Sequence, residues 1–348
     1  LARDWGVTSF KFHLHTQRGP ELFGTWEAQK KGGHFGFDDG TVYLAMEAVA
    51  ALGAPGIISI HPENWGISRA LKERFQRAGY QETRAWDEHS PHMGEAGHVR
   101  LYAYYARLLG CPLYIQHVST PETVREIEIA RSDGATIVGQ TGAHYLTLDH
   151  DTYRINVPLR DRDTIAALWR LLAVSDPSCV GSDHVCHTAP PEQMRTGNVW
   201  ADISGFASRV EAMLPMMLSE GVNKGRISLE RLVEVCCANT ARAFGLYPRK
   251  GSLEVGADAD VVLVDLQRTE RIRPEMILSS AGWSAWEGWE VTGWPVLTML
   301  RGRVASRWPA GVPRAEILGE PRGCYLARKV GHARYPLDPV EAPAQAIA

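Results

Sequence analysis

Three polar side chains alternate along one short apolar run. Ser9 to Gln17 reads SFKFHLHTQ and carries Lys11, His13 and His15. In an extended strand successive side chains point to opposite faces, so these three share one face, and Phe10, Phe12 and Leu14 share the other. The apolar face belongs against a core. The polar face then looks into a water-filled groove, a metal site or a barrel mouth. Three more groups stand where apolar runs stop: His61 opens HPEN after Gly56–Ile60, His117 falls in LYIQHVST, and Asp183 falls in VGSDH. In α/β barrels, functional side chains sit at the C-terminal ends of strands. Two imidazoles and a carboxylate aimed at one mouth suit a borderline cation such as zinc. Lys11 is the odd member, because an ammonium cannot ligate a metal and its unpaired burial costs several kcal/mol. It can pair with a carboxylate, lose its proton for Schiff-base chemistry, or take up CO2 as a carbamate, an anionic two-oxygen ligand able to bridge two cations. Residue chemistry leaves these three open.

The elements that must hold these groups read as alternating strands and helices. Apolar runs at Gly56–Ile60, Cys111–Val118, Ala135–Gly139 and Cys179–Val180 are interleaved with helical patterns at Thr41–Leu52, Ser68–Arg77, Gly97–Leu109 and Pro121–Arg131. That alternation predicts α/β architecture with a parallel sheet. From Gly251 the texture changes to β. Val261–Val264 centres one strand, and Thr292–Ser306 reads as a hairpin turning near Arg301-Gly302. Residues 308–348, rich in proline and alanine, read as a wandering tail, disordered or packed on a neighbouring subunit. The expected division is a barrel over 1–250, a small β unit over 251–307 and the tail. The chain opens at Leu1, inside what reads as a helix end, and is expected to be part of a longer one.

Composition excludes some roles. The 348 residues are 45% hydrophobic and 22% charged, with net charge −3. That balance supplies no electrostatic reason for a nucleic-acid or membrane partner. No apolar run approaches the roughly 20 residues of a membrane-spanning helix. Six scattered cysteines without a CxxC pair read as reduced thiols of a cytoplasmic protein.

The ordered set of segments resembles the cyclic amidohydrolases, the family of dihydropyrimidinase, hydantoinase and allantoinase. GVTSFKFHLH is similar to that family's carboxylated-lysine strand, IHPENWGIS to its His-x-Glu-Asn segment, LYIQHVST to its His-Val-Ser segment, and VGSDHVCHT to its Ser-Asp-His segment. GAHYLTLDHDTYRINVPLRDRDTIAALW resembles its substrate-loop region. The stretches around GRISLERLVEVCCANTARAFGLYPRKG and WEGWEVTGWPVLTMLRGRV resemble its closing part. The match runs from about residue 5 to 307. The resemblance implies a (β/α)8 TIM-type barrel, here without its first strands, and a small β-sandwich. It implies a carboxylated Lys11 bridging two divalent metals, expected to be zinc, with His61 and His117 on one metal and Asp183 on the other. Asp183 would also act as general base and acid, and the backbone at Asn156 and Ser204 would hold the substrate amide. The implied reaction is hydrolysis of a cyclic amide to an N-carbamoyl or ureido acid, by a homo-oligomer, dimer or tetramer. The rival readings are a non-catalytic scaffold relative and a hydrolase of open-chain amides.

Two departures from the family pattern stand out. Its His-x-His pair precedes the lysine strand. His13-Leu14-His15 is not that pair, because Lys11 itself matches the lysine segment; His13 and His15 are expected to line the mouth. The family's oxyanion tyrosine, five positions after the lysine, is Thr16 here, and His15 is the expected replacement donor or substrate contact. The Gly-rich stretch 17–40 reads as an active-site lid, with Trp26, Phe35 and Phe37 shaping a pocket. His89, His92 and His98 receive no ligand role. His184 and His187 read as satisfied loop histidines. Five tryptophans from Trp283 to Trp308 read as packing of the β unit.

Overall fold

The structure is a computed structural model that describes residues 1–14, 37–185, 190–203 and 209–331. The expectations placed on His15, Thr16, Trp26, Phe35, His187 and Ser204 lie outside the described residues.

Five parallel strands pair in sequence order: β1 (Ser9–His13), β2 (Ile57–His61), β3 (Leu113–Ile115), β4 (Ile137–Thr141) and β5 (Cys179–Val180). Each connection between consecutive strands carries helix, as parallel pairing requires. β2 and β4 are buried along their whole length, the signature of strands covered on both faces. One face is covered by helices. The helix His92–Leu109 buries Val99, Tyr102, Ala103 and Ala106 in one stripe, in the same cluster as Ile58 and Ile60, and ends at Gly110 in the left-handed region. On the other face Ile57, Tyr114, Val138 and Cys179 form a separate apolar layer with Ala243 and Phe244. The register pairs Lys11 with Ser59 and His13 with His61. Period-two alternation therefore sets these polar groups on one face and Phe10, Phe12, Ile58 and Ile60 on the other. Among the described residues β1 and β5 are the sheet edges, so the parallel α/β sheet is present and a closed ring is not part of what these strands form.

In the second unit the described residues form one antiparallel sheet, one layer of the expected sandwich, in the order β6 (Val261–Arg271), β7 (Glu290–Leu300), β8 (Arg303–Arg307), β9 (Glu316–Ile317). The β7–β8 turn is Arg301-Gly302 as read from the sequence, with φ of 49° and 75°, the two positive values that a type I′ turn demands. Helix rather than a second sheet meets β7. The segment Val210–Met216 continues as a π-helical stretch Met217–Asn223. At Gly293 (φ 103°) a Cβ would lie 2.7 Å from that of Leu218. Thr292 N donates to Ser219 Oγ (3.1 Å), and Asn223 Nδ2 donates to Thr292 O (2.6 Å). The tryptophans do more than pack this sheet. Trp294 and Trp308 stack edge-to-face at 5.0 Å, but fully buried Trp286 donates to Thr147 Oγ1 (2.9 Å) across the two units. Beyond β9 the chain returns to its start, where Arg328 N donates to Gly6 O (3.2 Å).

Candidate active site

The strand ends bring His13, His61 and His117 together, with Lys11 on the same face of β1. His61 closes β2, and its ring centroid lies 4.3 Å from that of His117, just past β3. The His13 ring lies 5.2 Å from His61 on the other side, so His13 does line the same mouth. Lys11 stands two residues before His13 on the same face. It is accessible from the mouth, yet enough protein surrounds its amine that lost hydration lowers its pKa, with the charge of Asp183 as the counterweight. The electrostatics at His117 follow from these neighbours. Burial first, then His61, Lys11, His13 and His144, hold its imidazole neutral, well below the ordinary histidine range.

Two backbone outliers mark the same place. Among the described non-glycine residues positive φ occurs at His117 (41°), Asp183 (45°) and the hairpin residue Arg301. The left-handed region costs a side-chain-bearing residue about 1–3 kcal/mol, persists only where neighbours over-determine it, and concentrates at functional sites. At His117 the neighbours are visible. His117 N donates to Gln140 Oε1 (3.0 Å), Val118 N to Gln140 O (2.7 Å), and Ser119 N to Glu95 Oε1 (2.9 Å). Gly181, before Ser182-Asp183, leaves room for the Gln140 amide, which a Cβ would meet at 2.6 Å.

The donor set fits a divalent cation. Both ring nitrogens of buried His117 lack a hydrogen-bond partner, and buried polar atoms are normally satisfied. A neutral, orphaned imidazole between another histidine and a lysine is the state a metal ligand adopts. Among the described residues no three His, Cys, Asp or Glu side chains form a metal-holding group by themselves. The fourth group here, Lys11, is an amine, which donates to a metal only once it has lost its proton. His61 Nε2 faces Glu63 Oε2 at 3.1 Å, the carboxylate-imidazole pairing that fixes a ligand ring.

Two residues of the site escaped sequence reading. Arg209, with a fully buried side chain, reaches Asp183 Oδ2 at 3.6 Å and donates from Nη1 to His144 Nε2 at 3.0 Å. His144 is buried and held neutral, by desolvation first and then by Arg209. It lies three residues past the end of β4, so the strand-end rule applied to His61 and His117 was a usable signal for it. Arg209 had none.

The Asn156 segment is rigidly held. The flanking carbonyls of Ile155 and Val157 accept from Trp86 Nε1 (2.7 Å) and Tyr145 OH (2.9 Å), while Asn156 Oδ1 is buried without a hydrogen-bond partner. Phe37 does not shape a pocket as expected. Its N–H bonds His13 O and its ring packs edge-on against Phe12 at 5.0 Å, on the apolar side of β1. His184 Nδ1 accepts from Arg209 N (3.3 Å), and His92 pairs with Glu122 at 3.0 Å, consistent with loop and surface roles.

His89 yields a stability prediction. Burial pushes its pKa down to about 4. Below the unfolded value of about 6.5 the unfolded chain takes a proton that the folded one refuses, so stability falls as pH drops from 6.5 toward 4. At about 1.36 kcal/mol per unit, urea unfolding at pH 7 and pH 5 should show the parent losing about 2 kcal/mol more than His89→Gln. Equal losses would defeat the assignment.

The amidohydrolase family pattern matches residues 32–305. An L-hydantoinase of Paenarthrobacter aurescens is 35% identical over 275 residues, 77% of this chain and 59% of its own length. An allantoinase of Solibacter usitatus is 34% identical over 272 residues, 76% of this chain and 58% of its own. The chain thus spans less than two thirds of these relatives. The solved L-hydantoinase (dihydropyrimidinase) of Arthrobacter aurescens superposes with a TM-score of 0.79 at 33% identity, covering 90% of this chain and 67% of that one. No helix among the described residues is long and apolar enough to cross a membrane. With family pattern, relatives and strand-end site in agreement, the chain belongs to the amidohydrolase family.

Proposed function

We propose that the protein containing this chain hydrolyses a cyclic amide, of the hydantoin, dihydropyrimidine or allantoin type, to an N-carbamoyl or ureido acid in a metal-dependent reaction. The observation that carries the reading is the convergence of Lys11, His61, His117 and Asp183 on one mouth, with both His117 ring nitrogens unpartnered. His61 and His117 would hold one divalent cation and Asp183 a second, zinc by donor type, with Lys11 as their bridging carbamate. Burial favours the neutral amine at Lys11, the form that adds to CO2. When bound, such cations activate water and polarise the ring carbonyl.

The chain's own groups do the rest. Asp183 takes the proton of the attacking water and passes it to the ring nitrogen, which leaves only once protonated. Asn156, fixed between two anchored carbonyls, and Ser204 hold the amide by their backbones. His15 replaces the oxyanion tyrosine absent at Thr16. Residues 1–250 carry the catalytic barrel part and 251–307 the core of the β unit, to which the expected tail adds β9 (Glu316–Ile317), in a cytoplasmic homo-oligomer. The described cysteines are all free, which suits a reducing compartment.

The test is turnover of hydantoin, dihydrouracil and allantoin by the full-length, zinc-loaded protein. Opening of at least one ring, lost on chelation and restored by metal, is expected. A metal-replete protein that opens none would support the open-chain amide hydrolase instead, and one that binds no metal would support the scaffold.

A further inference from the structure

A buried polar network lies behind the mouth and centres on Arg160, whose side chain is 1% exposed. Its guanidinium spends its donors in three directions. Nη1 donates to Asp87 Oδ1 (2.7 Å) and Ser90 O (2.7 Å), Nε to Ser119 Oγ (3.0 Å), and Nη2 to Glu95 Oε2 (3.5 Å). Each direction leads to the site. Ser90 Oγ donates to Glu63 Oε1 (2.9 Å), and the other oxygen of Glu63 faces His61. Ser119 follows His117 by two residues, and Glu95 accepts from both its N–H and its hydroxyl. Arg160 itself ends the segment that carries Asn156. Asp87 is held in turn by His150 Nδ1 (2.7 Å).

A surface role does not account for this arrangement. Burial opposes the charge of Arg160, and Asp87 and Glu95 more than offset it. A planar five-donor fork can serve all four of these acceptors at once; an ammonium has three donors on one atom. The His117 turn is where such bracing is needed, because its left-handed backbone must be held by its surroundings.

We infer that Arg160 is a positioning residue that sets the His61 ring, the His117 turn and the Asn156 segment in fixed relation to one another. The inference rests on the functional reading above only for its kinetic consequences. Without the fork, the imidazoles lose their mutual geometry and Asn156 its placement, while the strands and helices retain their own cores.

The test uses two variants of the full-length protein. Arg160→Lys keeps the charge and loses the fork. Ser119→Ala removes only the hydroxyl that links Arg160 to Glu95 beside the His117 turn, and it stands if the first variant fails to fold. Zinc affinity by chelator competition, kcat and KM on the opened ring, and the thermal midpoint are read together. Expected are 10- to 100-fold losses, as an order of magnitude, in zinc affinity and in kcat, with Arg160→Lys also raising KM. If the folded variants keep parental zinc affinity and kcat and lose only thermal midpoint, Arg160 is structural and the inference fails. A parent that binds zinc but opens no ring overturns the functional reading, and the zinc-affinity arm still decides the role of Arg160. A parent that binds no zinc overturns both.

Discussion

Lys11→Ala should strip the metal from the full-length protein. Removing an outer partner of a metal ligand costs roughly 10- to 100-fold in affinity or activity. Lys11 is read as the anionic bridge itself, so its loss should exceed that range in both zinc content and turnover. Short carboxylic acids such as propionate should restore part of both, since a free carboxylate fits the space vacated by the side chain and supplies two oxygens. Zinc measured by atomic absorption in the purified variant decides the matter. Unchanged zinc would remove the carbamate role and leave Lys11 as a partner of Asp183.

Asp183→Asn should remove the proton shuttle and weaken the hold on the second cation, so turnover is read at saturating zinc. Asparagine retains shape and hydrogen-bonding capacity but can neither accept nor return a proton. General acid–base catalysis contributes typically about 10²–10⁴-fold, and a fall in kcat of that size with KM changed only a few-fold is expected. Arg209, buried and 3.6 Å from Asp183, loses a counter-charge in this variant and keeps its bond to His144 Nε2, so the thermal midpoint is read beside kcat. A variant with parental kcat would place the proton transfer on another residue.

What sequence reading recovered follows from locality. His61, His117 and Asp183 were legible because each sits where a short apolar strand gives way to a turn, a signal contained within ten residues. The face shared by Lys11 and His13 was legible because strand alternation is local and exact register was not needed; pairing with His61 supplied it. Arg160, Glu95 and Arg209 were not legible. Their partners lie 41, 24 and 65 residues away in Ser119, Ser119 and His144. The helix expected to start at Gly97 begins at His92, because Gly94 lowers propensity yet packs its bare backbone face toward Asn64. The helix against β7 was not legible, because nothing within β7 announces that a helix ending in a π-helical stretch will pack on it.

The return of Arg328 to Gly6 has a consequence for biosynthesis. The turn that feeds β1 is closed by a backbone bond from Arg328, whose guanidinium also reaches the Phe244 carbonyl at 3.5 Å. A ribosome adding roughly 5–20 residues per second needs about 15–65 seconds between those two positions. Through that interval the entry to the lysine strand waits without its final latch, so nascent chains stalled before Arg328 should be more readily clipped near Gly6 than released ones.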